Sequence, residues 1–250
     1  MTDLTGKVAV VTGSSRGIGK AIAQRYASLG ASVVVNYAND QDNALRTVKE
    51  IEEAGGRAIA VRADVSRLPD IDVLFRAAVD TFGSLDIVVA NAGIEIILQP
   101  VAEVTEEEFD RLFAINTKGA FFTLQKAAEL LSDGGRLINI GSTTTVSPYP
   151  GMGLYASSKA AALKLVEIMA LELGPRDITV NTVLPSAITG AGVFTDVTVG
   201  DTFHQMNETR PLGGRPGTVA DVADAAEYFA GDLAAWVSGQ TLVVAGGAVQ

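Results

Sequence analysis

The chain has no cysteine and a single histidine, His204. The first absence excludes a disulfide framework and a thiol nucleophile. Together the two absences leave no zinc-type centre, because such sites draw most of their ligands from these two residue types, and no metal is expected. Positive charge is also scarce: 19 Lys and Arg against 29 Asp and Glu give a formal net charge of −10. No basic cluster relieves that background, which argues against nucleic acid as a partner, so any phosphate must be held by a local device. No apolar run reaches the ~18 residues that a membrane span requires, and the opening Met1-Thr-Asp-Leu-Thr-Gly-Lys7 lacks a basic stretch followed by an apolar one. A cytoplasmic protein without membrane contact is the expectation.

What is present is a chain of 250 residues, 48% of them hydrophobic, ample for a buried core. Short β-branched runs at 8–11, 32–36, 58–61, 85–89, 136–140, 179–183 and 241–244 alternate with stretches of helical period, such as Ile22, Tyr26, Leu29 and Leu68, Ile71, Leu74, Phe75, Ala78. Gly30 and Gly55-Gly56 suit helix C-termini; Ser66 and Thr105 suit N-termini. Apolar strands alternating with helices predict an α/β fold, a Rossmann-type doubly wound parallel sheet of about seven strands with helices on both faces. Without linker, repeat or low-complexity segment, residues 1–250 read as one dinucleotide-binding domain. The interval 185–216 breaks the rhythm with repeated Gly and Thr and with Phe194, Phe203, His204 and Met206, and is expected to form a substrate lid.

Thr12-Gly-Ser-Ser-Arg-Gly-Ile-Gly19 follows the first strand and opens the first helix. Its glycines permit a tight turn, close approach of backbone to a pyrophosphate and close packing of helix on strand, while the helix N-terminus presents oriented N–H groups. Gly13, Ser15, Arg16, Gly17, Ile18 and Gly19 are thus candidates for a dinucleotide's phosphate end. An acidic residue at the end of the second strand would bond the ribose 2′-hydroxyl; Asn36 and Tyr37, then Ala38, stand there instead. With Arg16 able to pair with a 2′-phosphate, NADP(H) is favoured over NAD(H), although Asp40 and Asp42 lie close enough in sequence to keep NAD(H) open.

Tyr155 precedes Lys159 by four residues, one helical turn on one face, and Ser142 follows the fifth apolar run. A cation beside a phenol favours phenolate, so Tyr155 is expected to titrate below its usual ~10, nearer neutrality. Tyr155 is the candidate proton donor to a carbonyl oxygen and Ser142 the hydroxyl that orients it. Thr143, Thr144, Thr145 and Ser147 offer competing hydroxyls, but Ser142 stands directly at a strand end, where ligand crevices of such sheets lie.

In this order and spacing the chain resembles the short-chain dehydrogenase/reductase family over its whole length. The positions that carry the resemblance are the TGxxxGxG loop at 12–19, Asp64-Val65, Asn91-Ala92-Gly93, Asn116, Ser142 and the YxxxK pair Tyr155 and Lys159. It implies that Asp64 contacts adenine with the Val65 backbone nearby, and that Asn91, Ala92 and Gly93 support the sheet beside the cofactor. It implies too that Lys159 bonds the nicotinamide ribose, and that Asn116 kinks its helix and holds a water linking Lys159 to solvent. Pro185, Ile188 and Thr189 would cover the nicotinamide, Thr189 through its side chain. A homotetramer is also implied, for which the Ala/Ser-rich stretch 157–170 offers close helix packing. Two departures, Ser186 for the usual Gly after Pro185 and Ala245 for the usual Asp before Gly246-Gly247, bear on cofactor fit and assembly rather than on proton transfer.

The expected reaction is NADPH-dependent reduction of a ketone or aldehyde. The substrate-facing segments 94–97 and 143–152 are largely apolar, with Glu95 their one acid, which points to a carbonyl compound with an apolar or aromatic body rather than a phosphorylated sugar or a carrier-protein thioester. The stretch 130–136 is similar to that of naphthol reductases and sugar dehydrogenases of the family. Two other readings stay open: an alcohol or sugar dehydrogenase using the same site, and a non-catalytic NADP-binding sensor.

Overall fold

The computed structural model describes residues 2–195 and 212–248; Phe203, His204, Met206 and the side chain of Phe194 lie outside that description. All seven apolar runs become strands of one parallel sheet: β1 (Val8–Val11), β2 (Ser32–Tyr37), β3 (Arg57–Arg62), β4 (Ile87–Ala90), β5 (Arg136–Ile140), β6 (Thr179–Pro185) and the last, β9 (Thr241–Val244). Their order across the sheet is β3-β2-β1-β4-β5-β6-β9. The direction of winding reverses between β1 and β4, and crevices at such a switch point are where doubly wound sheets bind ligands.

Residues of β1 divide alternately between two cores. Ala9 and Val11 face one that includes Ile22, Tyr26, Val222 and Phe229. Val8 and Val10 face the other, with Leu74, Phe75, Leu124 and Val166. The helices supplying the first core are α1 (Gly17–Ser28), α2 (Gln41–Glu53) and α7 (Val219–Ala230); those supplying the second are α3 (Leu68–Phe82), α5 (Ala120–Leu130) and α6 (Gly153–Leu173). With both faces covered, the central strands carry apolar residues at consecutive positions, as parallel sheets require.

Several boundaries differ from expectation. The fourth strand starts at Ile87 rather than at 85, because Asp86 turns its carboxylate to accept the Val8 N–H at 2.9 Å and the Ser84 hydroxyl at 2.7 Å. Arg67, not Ser66, is the N-cap of α3, since Ser66 donates its hydroxyl to Asp64 instead. Thr105 does cap α4 (Glu106–Phe113), in a reciprocal box with Glu108. Between α4 and α5 the helix widens into a π turn over Ala114–Gly119, with Asn116 inside it. Two short strands, β7 (Ile188–Thr189) and β8 (Gly217–Thr218), pair in parallel and bring together the ends of the segment expected to be a lid.

Candidate active site

The turn from β1 into α1 is built for close approach. Gly13 and Gly17 have φ of +62° and +58°, a region that side chains disfavour. A Cβ on Gly19 would sit 2.5 Å from the Gly13 carbonyl oxygen and from Asn91 Nδ2. The turn is braced from both sides. Thr12 Oγ1 accepts the N–H groups of Asn91 and Ala92, each at 2.9 Å, and Asn91 Nδ2 donates to the Thr12 carbonyl at 2.8 Å. Asn36 Oδ1 accepts the Gly13 N–H at 2.9 Å while its Nδ2 donates to the Ala63 carbonyl at 2.9 Å. Asn36, expected to face the cofactor, therefore spends its amide on holding the glycine turn. Arg16, the N-cap of α1, makes no side-chain cap, so the first amides of the helix face the cleft without an internal partner.

A cleft of about 660 Å³ runs along the carboxyl ends of the strands. At one end lie Gly13, Ser15, Arg16, Gly17, Ile18 and Gly19 with Asn36 and Tyr37; Asp64, Val65, Asn91, Ala92 and Gly93 follow; Ser142, Tyr155, Lys159, Pro185 and Ile188 line the other end. Two expected residues stand elsewhere. Thr189 is exposed in the β7–β8 ladder, because its neighbour Ile188 is the one that turns into the core. Asn116 is buried beneath Gly93: its Oδ1 accepts the Ile94 N–H at 2.9 Å, and its Nδ2 donates to the Ile94 carbonyl at 2.9 Å and to Ser158 Oγ at 3.0 Å. A Cβ on Gly93 would meet Lys159 Nζ at 2.9 Å and Asn116 Oδ1 at 3.2 Å, so the two side chains close directly over this glycine. Asp40 lines the cleft as well, whereas Asp42 belongs to the first turn of α2. Arg111 and Ile115, overlooked in the sequence, also line it. Their spacing of four, immediately before Asn116, was the signal that would have found them.

At the chemical end, Ser142, Tyr155 and Lys159 are all buried, at 7%, 8% and 7% exposure. Ser142 Oγ accepts from Thr144 twice, from its hydroxyl at 3.0 Å and its N–H at 3.3 Å, and lies near enough to the Tyr155 phenol to influence its titration. With its acceptor sites used by Thr144, the Ser142 proton is left to donate toward Tyr155 or a carbonyl oxygen. Lys159 Nζ donates to the Ile140 carbonyl at 3.2 Å.

The expected depression of the Tyr155 pKa is overturned. Burial pushes the phenol above its ordinary value, Glu95 pushes it further, and the Ser142 hydroxyl offsets only part. Burial also drives Lys159 down to about 8, against a smaller upward pull from Glu95. Desolvation outweighs the pairing inferred from sequence spacing, and the ammonium is held on a backbone carbonyl. The outcome is a phenol that keeps its proton beside an amine poised near neutrality, the arrangement of an acid rather than of a phenolate.

The family described as Enoyl-(Acyl carrier protein) reductase matches residues 13–249. Short-chain dehydrogenase/reductase GME11373 of Pestalotiopsis microspora is 40% identical over 264 residues, covering 98% of this chain and 96% of that protein. Hydroxynaphthalene reductase-like protein Arp2 of Metarhizium brunneum is 40% identical over 262 residues with the same coverage. Among solved structures, the landomycin C-6 ketoreductase LanV with bound NADP and rabelomycin is 38% identical, covers 99% of this chain and 98% of its own, and superposes with a TM-score of 0.87. A seven-stranded parallel sheet of this order, a glycine turn opening onto a cleft at its switch point and near full-length likeness to these reductases converge: the chain belongs to the short-chain dehydrogenase/reductase family and is an oxidoreductase interconverting carbonyl and alcohol.

Proposed function

We propose that the chain reduces a ketone or aldehyde with NADPH, Tyr155 giving the proton. The observation that carries this reading is Tyr155, buried in the cleft beside Ser142 and shifted toward its protonated form. The cradle fits a dinucleotide. Gly13 and Gly17 hold positive φ, Gly19 has no room for a Cβ, and the open amides of α1 favour an anion. Asp64 and Val65 would hold the adenine end, Asn91 to Gly93 the middle, and Lys159, Pro185 and Ile188 the nicotinamide end. When bound there, the nicotinamide supplies the hydride for the carbonyl carbon. The chain's own residues do the rest: Ser142 donates to the carbonyl oxygen and orients it, and Tyr155 delivers the proton. Lys159, near neutrality, exchanges protons with the phenol's surroundings. Asn116 acts by position, its amide bonded to Ile94 and Ser158 beneath Gly93.

Preference for NADP(H) over NAD(H) rests on Arg16 at the phosphate end and on the absence of an acid at Asn36-Tyr37. Asp40 opposes it. Its carboxyl is held below the usual range chiefly by the Asn43 side chain, with Arg16 a lesser contributor, so Arg16 already feels a competing charge. A small-molecule substrate is supported by the cleft, and the lack of a nucleic-acid partner by the net charge of −10; a cytosolic setting without membrane contact is proposed with them. No described helix is long and apolar enough to cross a membrane.

Tyr155→Phe is expected to lower ketone reduction by at least about 10²-fold, the scale of a lost general acid, while NADPH still binds, as read by its fluorescence. Unchanged turnover would overturn the role of Tyr155, and absence of turnover in wild type across a ketone panel would favour the sensor reading. In the same binding assay Arg16→Ala should weaken NADPH more than NADH; equal wild-type affinities for the two would end the claim of preference.

A further inference from the structure

Glu95 lies in the loop that follows β4 and is the one carboxylate among the described residues lining the chemical end of the cleft. Its Oε2 accepts the Val193 N–H at 2.8 Å, joining two cleft walls that are 98 residues apart in sequence. Gly192, at φ +55°, leaves the space that Glu95 fills: a Cβ there would run into both carboxylate oxygens. Turn and side chain are thus fitted to each other, and the carboxylate is fixed rather than free to swing into solvent. Its field reaches both Tyr155 and Lys159.

A fixed negative charge here is costly for catalysis alone, because the carbonyl oxygen gains negative charge as it is reduced. Mooring the loop does not by itself require a charge, since a glutamine would also accept the Val193 N–H, through a weaker neutral bond. The charge is also placed to act on a substrate in the cleft. We propose that Glu95 is a specificity-determining residue that admits uncharged, hydroxyl-bearing ketones and excludes those carrying a carboxylate or phosphate. This rests on the carbonyl-reductase reading above. Around Glu95 the cleft walls are apolar, with Ile94, Ile96 and Ile97 packed beside Leu154 and the Tyr155 ring. Beyond Arg16 at the phosphate end, the described cations lining the same cleft are Arg111 and Lys159, the latter held on the Ile140 carbonyl, and a substrate hydroxyl can donate to the carboxylate.

The test is a set of aryl ketones, each supplied as its methyl ester and as its free carboxylate, assayed with wild type, Glu95→Gln and Glu95→Asp. Repulsion between two carboxylates about 7 Å apart at an effective dielectric near 20 corresponds to roughly 30- to 60-fold in kcat/KM against the acid. Wild type should show a preference of that size for the ester, Glu95→Gln should reduce it to within about threefold, mostly through KM, and Glu95→Asp should retain most of it. An ester-to-acid ratio that is the same in wild type and Glu95→Gln overturns the proposal, as does a ratio that Glu95→Asp loses along with Glu95→Gln. NADPH fluorescence shows that each variant keeps its cofactor site. Failure of wild type to reduce any ester or acid while still binding NADPH is a different pattern; it removes the carbonyl-reductase reading and this inference with it.

Discussion

At the scale of single residues, Lys159 makes the sharpest prediction, because its pKa shift is a statement about stability. Its folded value of about 8 lies below the usual 10.5. Between those values the unfolded chain binds the extra proton, so stability must rise with pH across that window. Tyr155 acts oppositely: its folded pKa is raised, so the unfolded chain loses its proton first and stability falls as pH climbs past about 10. Urea midpoints should therefore climb from pH 7.5 toward 9.5 more steeply in wild type than in Lys159→Met, with Tyr155→Phe flattening the fall above 10. Parallel curves for wild type and Lys159→Met would show that the buried amine does not titrate as described. The YxxxK spacing identified both residues, yet it gave the wrong sign for the phenol. Spacing along a helix reports which side chains are neighbours, while desolvation depends on the sheet end and loops that close over them. Asn36 teaches the same point, since nothing local in Ser32–Tyr37 says that its amide will be spent on Gly13 and Ala63.

At the scale of elements, α1 and α7 pack directly against each other away from the active site. Tyr26, fully buried, donates its hydroxyl to the Ala226 carbonyl at 2.9 Å, and Arg25 reaches both Asp224 and Glu227. Because Arg25 is about a third exposed, its pairs contribute little, whereas the phenol is dry. Tyr26→Phe should cost about 1 kcal/mol, the usual net value of one buried hydrogen bond, measured as a shift in urea midpoint without change of slope. A shift no larger than that of Arg25→Ala would mean that the phenol contributes no more than the surface ion pairs do. The seven long strands and the helices between them were legible because β-branched runs and a 3.6-residue period repeat many times in each. The pair β7 and β8 was not: two residues carry no period, and their partnership spans the segment between them. Helix starts were read correctly where the cap is reciprocal, as at Thr105 with Glu108, and missed where the hydroxyl had a better acceptor, as at Ser66 with Asp64.

At the scale of the molecule, we expect a homotetramer. Its support is apolar surface that the isolated chain leaves in water: Phe109 and Phe121 on α4 and α5, Leu171 at 82% exposure on α6, and Trp236 at 100%. The outer face of α6 also presents Ala160 and Ala161, small enough for close helix contact. Sedimentation equilibrium should give about four times the 25.9 kDa chain mass, in keeping with the tendency of large exposed apolar surface to mark interfaces; a monomer at micromolar concentration would refute the assignment. The β7–β8 ladder has a consequence of a different kind. It pairs residues 188–189 with 217–218 at the rim of the cleft, so a change in the length of chain between them is met at the ladder rather than in the seven-stranded sheet. Doubling a loop so anchored costs only about 0.6 kcal/mol. Evolution, or a protein engineer, can therefore rewrite that stretch to meet a new substrate while the cofactor cradle and the proton-transfer residues keep their places.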